Sequence, residues 1–235
     1  MIAGPDALFA APVAPEPDGV RLVLGSTADA CSLVAGAALV HADPPWIYGE
    51  PSHQETGVKP RINGDASGKY DCISNVEIAS HLDAAWDAAA PDCYLVCWCT
   101  WPKLAEWLAA SSGMRWRYVT GGSWHKTGRI GTGFHVRGDS EFILIYVKGK
   151  PRPRVAMSNA YASARGKHSE KPVPFLRRIV EALARPSGPV LDLYAGLAPL
   201  ARACREAGRE YVGIEIDPQR RADALALLAQ HRMAA

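Results

Sequence analysis

Short apolar runs alternate with amphipathic stretches through most of this sequence, and that alternation constrains the fold more than any other feature. The runs at 20–24, 37–40, 93–99, 116–119, 141–147, 190–194 and 211–215 each have the length of a buried strand. Between them lie stretches with helical spacing. Residues 75–90 carry Val76, Ile78, Ala79 and Leu82, and 102–110 carry Leu104, Trp107 and Leu108 after Pro102. Residues 173–184 place Phe175, Leu176, Ile179, Val180 and Leu183 on one stripe; 198–207 and an Ala/Leu-rich end segment complete a β-α-β-α run. Strands that alternate with helices in this way predict a doubly wound, mostly parallel α/β sheet.

A length of 235 residues suits one large domain, read here as 19–235, preceded by a flexible Ala/Pro-rich arm over 1–18. Hydrophobic residues at 48% and charged residues at 21% exclude disordered, collagen-like and disulfide-scaffold classes. No run approaches the roughly 18 apolar residues of a membrane span, and the N-terminus lacks a signal-peptide pattern, so a cytoplasmic protein without membrane contact is expected. Cys93, Cys97 and Cys99 sit close together, but in an apolar run with no second ligand pair, which favours a buried strand over a metal site. Polar, Gly/Pro-punctuated stretches at 49–70 and 121–138 read as loops.

Three constellations carry chemistry. Asp43-Pro44-Pro45-Trp46 ends an apolar strand, where open α/β sheets bind their ligands. Two prolines fix φ and remove two N–H donors, which leaves the Asp43 and Pro44 carbonyls rigid and uncommitted. Such a turn suits the exocyclic amine of a nucleobase stacked on Trp46. The second constellation is Leu191-Asp192-Leu193-Tyr194-Ala195-Gly196, with Glu215 placed 23 positions after Asp192. This is the layout of a nucleoside-binding βαβ unit, with Glu215 as ribose ligand. The glycine pattern is too sparse for a dinucleotide and points to a cofactor without phosphates, such as S-adenosylmethionine. The third is charge: residues 126–171 hold ten Lys/Arg and three Asp/Glu, a local +7 in a chain of net +2. This places a basic block beside the expected target pocket, as in loops that approach a phosphate backbone.

Together the motifs resemble the D-P-P-W amino-methyltransferases, which include messenger-RNA adenosine methyltransferases and bacterial or phage relatives that act on adenine. The resemblance rests on Asp43-Pro44-Pro45-Trp46, Gly68-Lys69-Tyr70-Asp71, Trp124-His125-Lys126-Thr127 and Gly131-Thr132-Gly133-Phe134 with Glu141. It continues through Lys148-Gly149-Lys150-Pro151, His168-Ser169-Glu170-Lys171-Pro172, Asp192 to Gly196 and Gly213-Ile214-Glu215. The order, catalytic tetrapeptide first and cofactor unit last, resembles the permuted beta class of DNA amino-methyltransferases.

That resemblance implies a Rossmann-like methyltransferase that uses S-adenosylmethionine to methylate the N6 amine of adenine in DNA. Asp43, Pro44, Pro45 and Trp46 would form the catalytic turn, with Asp43 also touching the methionine end of the cofactor. Lys171 would lie near the cofactor carboxylate, with Ser169 in the same segment; Asp192, Tyr194, Gly196 and Leu197 would line methionine and ribose, and Glu215 and Ile216 the ribose end. The adenine end would meet Gly25 and Ser26. Tyr48, Tyr70, His125, Lys126 and Arg129 would contact the target nucleic acid. RNA adenine and a catalytically silent nucleic-acid-binding homologue are the alternatives; a cytosine-amine enzyme would more often show Ser in place of Asp43. The stretch Tyr194-Ala195-Gly196-Leu197-Ala198-Pro199 departs from the family's Phe-x-Gly-x-Gly. No large insertion serves target recognition, so short loops or a partner copy in a homodimer would supply it.

Overall fold

In a computed structural model of the chain, the described residues are 19–47, 72–128, 136, 138–164 and 170–233. They form one eight-stranded sheet in the order β1-β8-β7-β2-β3-β5-β4-β6. The strands are β1 Val20–Leu24, β2 Leu39–Ala42, β3 Cys93–Cys99, β4 Arg117–Thr127, β5 Ser140–Lys148, β6 Ala160–Ala164, β7 Val190–Asp192 and β8 Tyr211–Glu215. The helices are α1 Thr27–Ala30, α2 Asn75–Ala88, α3 Trp101–Ser111, α4 Val173–Leu183, α5 Pro199–Glu206 and α6 Pro218–Met233. Strands β1, β8, β7, β2 and β3 run parallel, β5 is antiparallel to both its neighbours, and β6 is parallel to β4. The expected doubly wound, mostly parallel sheet is therefore present, with one reversed strand.

Side-chain alternation on β3 shows why the sheet is covered on both faces. Tyr94, Val96 and Trp98 join the core under α4, α5 and α6, whereas Cys93, Leu95, Cys97 and Cys99 join the core under α1, α2 and α3. All seven residues are buried, as an apolar run flanked by helices on both sides requires. Burial pushes the Cys93 and Cys99 thiols up to about 12, so these sulfurs behave as small hydrophobes. Helix α2 starts with a reciprocal cap. Ser74 Oγ accepts from Glu77 N at 3.2 Å, and Glu77 Oε2 accepts from Ser74 N at 3.0 Å.

Two expectations change. The polar stretch from Gly121 is not a loop at its start, because β4 continues to Thr127 through pairing with β5 and β6. Strand β6, Ala-Tyr-Ala-Ser-Ala, has an exposed edge face and too few apolar residues to reveal itself by period.

Within β8, Gly213 makes room for the neighbouring tyrosine. A Cβ at Gly213 would sit 2.3 Å from the Tyr211 hydroxyl and 2.8 Å from Leu22 Cδ1, all inside the sheet's close-packed core. Gly213→Ala is expected to cost about 2 kcal/mol through overpacking and a displaced Tyr211, read from the midpoint of urea unfolding. An unchanged midpoint would contradict this account.

Candidate active site

The carboxyl ends of β2, β7 and β8 lie side by side, so Asp43, Leu193 and Glu215 emerge at one edge. A buried polar relay fixes their relative heights. The Trp98 indole donates to His41 Nε2 at 2.8 Å, which leaves the ring proton on Nδ1, where it donates to Asp192 Oδ1 at 2.9 Å. Tyr211 donates to Asp192 Oδ2 at 3.0 Å. Asp192 is only 1% exposed and both its oxygens are taken. This corrects the expectation that Asp192 lines the cofactor: it anchors the strands behind the pocket instead.

Asp43 follows His41 by two residues, on the same side of the strand direction as the relay. Its Oδ2 accepts from Lys171 Nζ at 2.6 Å, and its side chain remains 35% exposed. Lys171 is buried, lies 5.0 Å from the centre of the Trp98 ring, and also meets Glu141 Oε2 at 3.1 Å. Lys126 pairs with the same carboxylate and lies over the Trp124 ring. The result is an alternating chain, Asp43, Lys171, Glu141, Lys126. Burial alone would lower the pKa of Lys171, but the Asp43 and Glu141 carboxylates reverse this and raise it. Burial works to raise the Glu141 pKa, and the two lysines outweigh it, so that carboxyl sits below its ordinary range. Lys126, expected to contact the nucleic acid, pairs with Glu141 in this structure. Lys171 turns to two acids, with its charge already matched.

The turn itself is more committed than its prolines suggest. The Pro44 carbonyl accepts from Trp46 N at 3.0 Å, and the Pro45 carbonyl accepts from Ile73 N at 3.1 Å. Trp46 is 4% exposed and meets Trp107 edge to face at 5.3 Å. Its ring is a buried wall and does not offer the open stacking platform expected from sequence. Asp43 Oδ1 has no hydrogen-bond partner among the described residues, and it is the acceptor left for an amine.

The second half of the site gathers around Glu215. Its Oε2 accepts from Gly196 N at 2.8 Å and its Oε1 from Asp217 N at 2.9 Å, which leaves a lone pair on each oxygen for a pair of hydroxyls. Burial raises its pKa against the pull of those two N–H groups. Ile216 beside it is 70% exposed, an apolar surface next to a buried carboxylate. Gly25 N donates to Glu215 O at 3.0 Å and Thr27 Oγ1 to Leu193 O at 2.8 Å, so the turn after β1, with Ser26, closes on the same edge. Leu197 and Gly196 are half-buried in the turn before α5, where Ala198 takes a left-handed φ of 54° and is fully buried. Tyr194 is held by a residue that sequence reading missed: its hydroxyl lies 2.9 Å from His81 Nδ1 on α2. Burial lowers the His81 pKa, with a smaller opposing effect from Glu77.

His125 Nδ1 lies 3.6 Å from Asp139 on an exposed stretch. Tyr48, Tyr70, Arg129 and Ser169 lie outside the described residues. The basic block is split. Antiparallel register places Phe142 opposite Cys99 and Lys148 opposite Cys93, so Lys148, Lys150, Arg152 and Arg154 follow the amino end of β3, away from Asp43. Only Lys126 and Lys171, among its described cations, reach the site edge.

The arrangement fits a nucleoside-bearing, positively charged cofactor: a diol acceptor at Glu215, an apolar face at Ile216 and a carboxylate at Asp43. Comparison with known proteins agrees. Residues 153–225 match the N6/N4 DNA methylase family model. Over 170 residues the chain is 29% identical to the type II methyltransferase M.MunI of Mycoplasma sp., covering 67% of this chain and 71% of that one. Among solved structures, TTHA0409 of Thermus thermophilus, complexed with S-adenosyl-L-methionine, superposes with a TM-score of 0.68 at 18% identity, covering 89% of this chain and 93% of that one. The M1.HpyAVI complex with S-adenosylmethionine gives 0.63 at 15% identity, covering 89% and 99%. The cytosine-N4-specific PvuII DNA methyltransferase gives 0.67 at 10%, covering 88% and 85%. In fold the chain is similar to these solved methyltransferases, and its sequence likeness over residues 153–225 is to DNA methylases.

Two outcomes test this geometry. Lys171→Met removes the cation between two acids and should cost about 3 kcal/mol in chemical denaturation. His81 favours its neutral form in the folded chain, so the unfolded chain binds more protons as pH falls below about 6.5 and stability should decline there. His81→Gln should flatten that limb of the pH–stability curve.

Proposed function

We propose that the protein transfers a methyl group from S-adenosylmethionine to the exocyclic N6 amine of adenine in DNA. The observation that carries this reading is the part-exposed Asp43 carboxyl before the Pro-Pro turn, with Oδ2 fixed by Lys171 and Oδ1 without a hydrogen-bond partner among the described residues. The cofactor supplies an electrophilic methyl on a sulfonium. Asp43 Oδ1 accepts an N–H of the amine and draws electron density onto its nitrogen, while the rigid turn holds that nitrogen in line with the methyl. The N–C bond would form as the cofactor's C–S bond breaks, and the proton that the methylated amine loses would pass to solvent. Glu215 would accept the two ribose hydroxyls, and the exposed Ile216 would offer the nucleoside an apolar surface. An adenine reaches such an edge only when flipped out of the duplex.

Asp43 favours adenine over cytosine N4, since the family that the motifs resemble more often places Ser there for cytosine. The same hydrogen-bond chemistry serves either amine, and the assay separates them. DNA is preferred to RNA on the strength of the methylase likeness. Tritiated cofactor, DNA or RNA and nuclease digestion to nucleosides should give label in N6-methyldeoxyadenosine. Asp43→Asn should lower kcat at least about 100-fold, with cofactor binding by calorimetry changed only a few-fold. Label in cytosine or in RNA alone would overturn the assignment, as would full activity in the variant.

A further inference from the structure

The basic residues that the register places away from Asp43 form a cluster of their own. Segment Lys150-Pro151-Arg152-Pro153-Arg154 leaves β5 at Gly149, whose φ is 66°. A Cβ there would lie 2.3 Å from Asp92 Oδ1 and 2.4 Å from the Pro91 carbonyl, so the sharp exit requires glycine. Two prolines stiffen the segment and stop it extending the sheet. It is pinned at both ends, with Lys150 N donating to Asp92 Oδ1 at 2.7 Å and Arg154 N donating to the Ala182 carbonyl at 2.7 Å. Arg185, on the loop after α4, donates to the Asp92 carbonyl at 3.3 Å, and Arg209, on the loop after α5, to the Gly188 carbonyl at 3.2 Å.

Five cations therefore surround the amino-terminal edge of the sheet. Asp92 and Glu210 are nearby carboxylates, yet none of the five cations has an ion pair within 4.0 Å among the described residues. Burial lowers the pKa of Arg209 and the charge of Arg154 lowers it further, against smaller opposing effects from Cys204 and Glu210. Arg209 Nη1 is buried and unpartnered. The seven residues of β3 separate this edge from the Asp43 edge by about 20 Å.

We propose that this edge is a second DNA-backbone surface, on which Lys150, Arg152, Arg154 and Arg185 hold phosphates of a separate duplex segment, with the Arg209 charge behind them. The proposal rests on the DNA methyltransferase reading, and it adds a surface with no role in methyl transfer. Its chemistry is that of a phosphate backbone: cations on a stiff, Arg-rich segment with no ion pairs among the described residues. Holding a neighbouring segment keeps the protein on DNA between turnovers, with the salt dependence of counterion release.

The test uses the full chain and the triple variant Lys150→Gln/Arg152→Gln/Arg154→Gln, with a duplex of about one and a half turns (~16 bp). Titration by fluorescence anisotropy should show two duplexes per wild-type chain, the second of which the variant binds at least tenfold more weakly. The salt slope of that second event should fall by about 3, close to 0.9 per lost phosphate contact. Single-turnover methyl transfer on saturating duplex should be unchanged. If the triple variant unfolds, Arg152→Gln/Arg154→Gln, whose side chains are exposed, replaces it. One duplex per wild-type chain with equal affinity in the variant overturns the proposal, as does selective binding of polyglutamate. Two duplexes bound with no methyl transferred would sink the methyltransferase reading and leave this surface standing; one duplex with full transfer does the reverse.

Discussion

The hydrogen-bond relay from Trp98 through His41 to Asp192, closed by Tyr211, holds the rest of the structure in register. It joins β3, β2, β7 and β8 across the middle of the sheet with groups that are buried and fully satisfied. Buried polar groups of this kind tolerate no slippage: a one-residue shift of β2 would strand the indole, the imidazole and the carboxyl without partners in a low-dielectric interior. Since Asp43 follows His41 by two residues and Leu193 follows Asp192, fixing the relay fixes where the Asp-Pro-Pro turn and the cofactor turn emerge. The space that Gly213 leaves beside Tyr211 belongs to the same device.

In front of the relay, charge alternates outward from Asp43 to Lys126. An acid at the pocket mouth has two demands on it, to stay in place and to keep one oxygen available. Lys171 meets both by binding Oδ2 from a buried position, backed by Glu141, which is itself balanced by Lys126. Buried ion pairs seldom add much net stability, but removing one member exposes the full desolvation cost of the other. The chain therefore serves chiefly to orient Asp43. This also explains why Lys126, basic and near the site, does not project toward a phosphate.

Much of this was legible from residues. The strand and helix runs follow from period, and Asp43 and Glu215 follow from their places at strand ends, where an open parallel sheet presents its ligand groups. What escaped was set by partners distant in sequence. Asp192 looks like a pocket residue until His41 and Tyr211 are seen to occupy both oxygens, and the signal available was a histidine inside an otherwise apolar strand. Trp46 looks like a stacking platform until Trp107, on a helix 61 residues later, is found against it. His81 gave no local sign, because its role depends on a tyrosine 113 positions away.

The split of the basic block shows the same limit in electrostatics. Counting charge along a window of sequence assumes that neighbours in the chain share a surface, and a reversed strand breaks that assumption. β5 enters at the Asp43 edge with Glu141 and leaves at the far edge with Lys148, so nine residues carry the chain from one pole of the sheet to the other. Lys126, before the strand, serves the acid cluster, and Lys150, Arg152 and Arg154, after it, lie near Asp92 with Arg185 and Arg209, which arrive from entirely different windows. The described residues hold no separate recognition domain, so the two poles of the single sheet carry distinct sets of cations. The reversed strand is what lets one basic segment supply the second pole without disturbing the first.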